Sequence, residues 1–81
     1  MRNVEITRKA HKQIAGLNKA DMAVIYAALE KLAHWPDVTG VKNLVGREGY
    51  RLRIGDYRAM FRVEGEMIVV TEVKRRNEHT Y

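Results

Sequence analysis

The sequence predicts an α+β fold with elements in the order βααβββ, an antiparallel sheet packed against an N-terminal helical hairpin. Three observations carry this. A short alternating stretch opens the chain, and two segments of helical periodicity follow it. The second half then alternates polar and apolar residues in three runs separated by glycine-containing turns. The 81 residues suffice for one small domain, taken as 1–81, and 46% apolar content supports a folded core.

In "NVEIT" (3–7), Val4 and Ile6 share one face, as in a short strand. Thr7 is placed to cap a helix starting at Arg8, in which Ala10, Ile14 and Leu17 line one side. Gly16 and Asn18 mark a break, and Asn18 is also a cap for the next helix. "KADMAVIYAALEKLAHW" repeats Met22, Ile25, Leu29 and Leu32 at helical spacing, with Asp21 in the first turn where it suits the helix dipole. Pro36 ends this helix, since a residue before proline avoids the helical region. "GYRLRI", "YRAMFRV" and "MIVVTEVK" read as strands, with turns at Gly55-Asp56 and Glu64-Gly65 and a further short strand near Val41–Val45.

The formal charge of +5 favours nucleic acid, an acidic protein or an anionic membrane surface as partner. Five of six lysines precede Gly46, and seven of nine arginines follow it. Arginine presents a planar fork suited to phosphate, so the second half is the candidate oxyanion-binding half. No apolar run is long enough to span a membrane, and "MRNVEITRKA" lacks the apolar block of a secretion signal, so a cytoplasmic location is expected. The chain has no cysteine, and His11, His34 and His79 lack metal-ligand spacing, so neither a thiolate site nor a metal is expected. "GREG" (46–49) has neither the length nor the lysine of a phosphate loop.

A two-residue Gly55-Asp56 loop sets Ile54 opposite Tyr57, Arg53 opposite Arg58 and Arg51 opposite Met60. Arg51, Arg53, Arg58, Met60 and Arg62 then share one face, and Tyr50, Leu52, Ile54, Tyr57, Ala59, Phe61 and Val63 share the other, which lies on the helices. A Glu64-Gly65 turn would pair Arg58 with Thr71 and add Thr71, Val73 and Arg75 to the arginine face, with Glu72 on the opposite side. Like charges directly opposite one another are costly, so the cluster is expected to bind an anion, with Arg51, Arg53 and Arg62 holding phosphate. The alternative is a solvated face on which arginine stems cover Met60, Met67 and Val69. In the tail "VKRRNEHTY", His79 can move protons near neutral pH, and Tyr81 can stack on a base or handle a proton.

"GYRLRIGDYRAMFRVEGEMIVVTEVKRRNEHTY" and "LEKLAHWPDVTGVKNLVG" resemble the RelE/ParE toxin superfamily of bacterial type II toxin–antitoxin systems, over essentially the whole chain. The resemblance implies a microRNase-like fold. For the RelE branch it also implies metal-free mRNA cleavage in the ribosomal A site, with the RNA 2′-hydroxyl attacking the neighbouring phosphate and no cofactor. By motif, Arg51 and Arg53 stand where RelE-type members carry lysines. Arg58 matches an arginine of the following strand, Arg75 the arginine after the last strand, and Tyr81 the closing tyrosine. An arginine stays charged and is a poor base, so Arg51 and Arg53 suit charge stabilisation. His79 or Tyr81 is left as the base, and Arg75 is a candidate for assisting the leaving group. The implied partners are a cognate antitoxin, in a toxin–antitoxin hetero-oligomer, and the ribosome with its mRNA. A ParE-like chain would instead poison DNA gyrase by protein binding, and a nucleic-acid-binding domain without activity is the third reading.

Overall fold

In the computed structural model, which describes residues 1–75, the chain begins with β1 (Asn3–Ile6) and passes directly into α1 (Arg8–Ala15). Thr7 makes that junction: its backbone is extended and its hydroxyl oxygen accepts from the Ala10 amide at 3.2 Å. Asn18 caps α2 (Lys19–Glu30) in the same way, accepting from the Asp21 amide at 2.8 Å. Helical periodicity continues beyond Glu30, but the chain tightens into a 3₁₀ turn over Lys31–His34 before Pro36. Such tightening is common in a last turn whose carbonyls have no further amides above them.

Four more strands follow: β2 (Val41–Asn43), β3 (Tyr50–Ile54), β4 (Tyr57–Glu64) and β5 (Met67–Arg75). The sheet order is β1-β5-β4-β3-β2. Three of the pairings are antiparallel, but β1 runs parallel to β5, so the sheet is mixed rather than antiparallel throughout. Local alternation cannot reveal this, because the direction of β1 is set by the long crossover through both helices. The helices cover one face, where Ala10, Ile14, Ile25, Leu29 and Leu32 meet Leu52, Ile54, Ala59, Phe61, Ile68, Val70 and Val73. Trp35 closes one end of this core, 4.7 Å from the Tyr50 ring and 5.4 Å from the Phe61 ring, centre to centre.

The first hairpin has the expected register, with Arg53 opposite Arg58 and Arg51 opposite Met60. The second differs in two ways. Its loop is Gly65-Glu66, one residue later than expected, with Glu64 opposite Met67. Gly55 and Gly65 both take positive φ, +57° and +59°, at the first loop position, which a side chain would strain. That change alone moves the register by two residues and leaves every side chain on its face. The reversal comes from a bulge: Met60 opposes Glu72 while Phe61 opposes Val70, so Thr71 is extra. Beyond it, Arg58 pairs with Lys74 rather than Thr71. Glu72 and Lys74 therefore join the arginine face. Val73 enters the core, and Arg75 follows Tyr57 to the helix side. These placements correct the expected ones for Thr71, Glu72, Val73 and Arg75.

Candidate nucleic-acid interface

The face of the sheet away from the helices carries two adjacent cross-strand rows. One runs Lys42, Arg51, Met60, Glu72, and the next runs Arg53, Arg58, Lys74. Neighbouring strands lie about 4.8 Å apart and same-face residues along a strand about 7 Å apart, so these cations form a dense patch. Lys42, Arg51, Arg53 and Arg58, with Gly40 and Val41, line a pocket of about 480 Å³. Short β2 closes its outer side, held because the Arg53 amide donates to the Gly40 carbonyl at 2.9 Å.

The charge balance of this pocket is one-sided. Among the described residues, none of its four cations makes an ion pair, and no carboxylate, histidine or tyrosine lines it. Arg58 Nε is buried without a hydrogen-bond partner among the described residues. A charged donor so placed is complete only when an anionic oxygen arrives. Met60 and Val69 are buried on the same face, as the alternative of apolar surface beneath long side chains requires. The unpaired guanidiniums remain in addition. The arrangement can hold phosphate oxygens and stabilise charge that develops on them.

Not every expected site residue gathers here. Arg62 is on the open face opposite Val69, beyond the pocket, and is bonded to Glu64 on its own strand. Arg75 is on the helix side, where it donates to the Tyr57 hydroxyl at 3.0 Å with its guanidinium 5.0 Å from that ring's centre. Tyr57 in turn donates to Asp21 Oδ2 at 2.7 Å. This bond to Asp21 raises the Tyr57 pKa, burial adds to the rise, and the nearby Arg75 charge opposes it. His79 and Tyr81 lie outside the described residues.

Three charged residues of this face went unidentified in the sequence. Lys42 could have been found by extending the ladder to the short strand near Val41, which places it beside Arg51. Glu72 and Lys74 were hidden by the bulge. Glu72 Oε2 lies 3.0 Å from Lys74 Nζ and 3.7 Å from Lys9 Nζ. Burial pushes the Glu72 pKa up, but the Lys74 hydrogen bond and the charges of Lys74, Lys9 and Arg47 outweigh it and hold the carboxyl below its usual range.

Comparison with known proteins agrees with the resemblance noted above. A family model described as the ParE toxin of the type II toxin-antitoxin system, parDE, matches residues 4–80. No curated protein sequence matches the chain. Among solved structures, a chain of the toxin–antitoxin complex RelBE2 from Mycobacterium tuberculosis superposes with a TM-score of 0.80 at 24% identity, covering 93% of this chain and 98% of that one. The archaeal RelE–RelB complex from Pyrococcus horikoshii gives 0.75 at 23% identity, covering 96% of this chain and 98% of that one. The isolated E. coli RelE toxin gives 0.73 at 17% identity, covering 98% of this chain and 88% of that one. At these identities the likeness is one of fold, and the family rests on the model match across nearly the whole chain: this protein belongs to the ParE toxin family of type II toxin–antitoxin systems, within the RelE/ParE superfamily.

Proposed function

We propose that this toxin is an endoribonuclease that cuts mRNA on the ribosome. The supporting observation is the pocket of four cations, which have no ion-pair partner among the described residues, around the buried Arg58 Nε, which has no hydrogen-bond partner among them. In the proposed reaction the RNA 2′-hydroxyl attacks the adjacent phosphorus, the bond from phosphorus to the 5′ oxygen breaks, that oxygen leaves as a hydroxyl with a proton from solvent, and a 2′,3′-cyclic phosphate forms. The nucleophile is the substrate's own hydroxyl, so the step requires no metal-bound water. Arg58, with Arg51 and Arg53, neutralises the charge building on the non-bridging oxygens. Lys42 anchors a neighbouring phosphate. His79 or Tyr81 takes the 2′-hydroxyl proton. Arg75, bonded to Tyr57, has a structural role rather than one at the leaving group. The cytoplasm, where ribosomes translate, is the site of action.

A cognate antitoxin is the second partner, forming a hetero-oligomer with the toxin and covering the basic face with an acidic or amphipathic segment. Similar folds have been solved in RelB–RelE complexes, which supports this reading. Poisoning of DNA gyrase by protein binding is the alternative reading, favoured by the description of the matching family model as ParE. Toeprinting on translated mRNA separates the two. The nuclease reading expects cuts within ribosome-bound codons, reduced about 10²-fold or more by Arg58→Ala. Intact mRNA together with blocked DNA replication would establish the gyrase reading instead.

A further inference from the structure

The row Arg53, Arg58, Lys74 places three cations side by side across three strands, yet they are not equivalent. Arg53 and Arg58 have no carboxylate among the described residues, whereas Lys74 is bonded to Glu72, two positions earlier on the same strand. Glu72 also takes Lys9 from the first turn of α1. Lys9 can reach it because β1 ends its pairing at Ile6 opposite Val70, leaving the outer edge of β5 to α1 from there on. The Glu72 side chain is only 15% exposed, so this three-membered ion cluster is partly desolvated and screened less than a surface pair.

We propose that Glu72 sets the width of the phosphate-binding face, holding Lys74 and Lys9 in internal ion pairs so that Lys42, Arg51, Arg53 and Arg58 alone contact the RNA backbone. Without that carboxylate the cation row would continue from the pocket across β5 to α1, giving bound RNA a longer path over the sheet. Glu72 is thus a positioning residue, acting through the lysines it occupies. This inference rests on the RNA reading above.

The test is the salt dependence of binding to a labelled single-stranded oligouridylate, measured at neutral pH with the purified full chain. Each additional phosphate contact steepens the slope of log K against log salt by about 0.7 for a single strand. Glu72→Gln frees one or two lysines. Over a fourfold rise in salt its affinity should therefore fall on the order of three- to sevenfold more than wild type. Lys74→Gln in the wild-type background should leave the slope unchanged, and adding Lys9→Gln and Lys74→Gln to Glu72→Gln should restore it. A Glu72→Gln slope equal to wild type, or a Lys74→Gln slope shallower than wild type, overturns the proposal. Lys74→Gln decides the matter alone if Glu72→Gln does not fold. Arg58→Ala is the control for the underlying reading: if it flattens the slope while Glu72→Gln does nothing, only the role of Glu72 fails. If Arg58→Ala has no effect, or wild type binds no RNA, both fail.

Discussion

Arg58 is the residue whose surroundings are least complete. Its Nε is buried with no acceptor among the described residues, and Arg53 stands directly opposite it in the ladder. A buried donor without a partner costs about 1–3 kcal/mol, and like charges opposite one another add to that. The free protein therefore carries an energetic penalty that a bound phosphate would relieve. Arg58→Met keeps length and volume while removing the charge and the orphaned donor. It should raise stability in urea unfolding by about 1 kcal/mol, as is common when a binding-site group is replaced. The same variant should lose the ribosome-dependent cuts. A Met variant less stable than wild type would mean that Arg58 is satisfied in the free protein. Legibility at this scale divided along the ladder. Arg51, Arg53 and Arg58 were readable because a two-residue loop fixes their register, whereas Lys42 sits on a three-residue strand too short to show alternation.

Between elements, the bulge at Thr71 decides what β5 contributes to each face. The hairpin glycines and the caps at Thr7 and Asn18 are local signals, and they located the two helix starts and, to within one residue, the two hairpin turns. A bulge leaves no such mark, because both parities of β5 present plausible core residues: one offers Ile68 and Val70, the other Met67, Val69 and Val73. The choice is made by tertiary contacts at the point where β5 exchanges β1 for α1 as its outer neighbour. There the Thr7 amide donates to the Val70 carbonyl, and the Thr7 hydroxyl donates to the Thr71 carbonyl at 3.3 Å. Gln13 of α1 then accepts from the Val73 amide at 2.6 Å, supplying the partner that a missing strand would otherwise provide. Gln13→Ala strands that amide, and the protein should lose about 1–2 kcal/mol in urea unfolding. Faster hydrogen exchange should be confined to the end of β5. Unchanged exchange at Val73 would show that α1 covers this edge by packing alone.

For the whole molecule, the two titrating networks lie on opposite faces of one sheet and bound its stability from opposite ends of the pH scale. Glu72, on the open face, has a depressed pKa in the folded chain. Its contribution is complete above the unfolded carboxylate value of about 4.3 and is lost as pH falls through the lower folded value. Tyr57, on the helix side, has a raised pKa because its hydroxyl donates to Asp21. Its contribution is complete below the unfolded phenol value of about 10 and is lost as pH rises through the higher folded value. Glu72→Gln and Tyr57→Phe should therefore both be less stable than wild type at pH 7, but with different profiles. The Glu72→Gln deficit should shrink toward acid and stay constant toward alkali. The Tyr57→Phe deficit should do the reverse, since at high pH wild type loses the bond that the variant never had. Urea midpoints collected from about pH 3 to about pH 11 would resolve the two limbs. A Tyr57→Phe deficit that held steady through the alkaline limb would mean that Asp21 and Arg75 pin β5 to α2 without the phenolic proton between them.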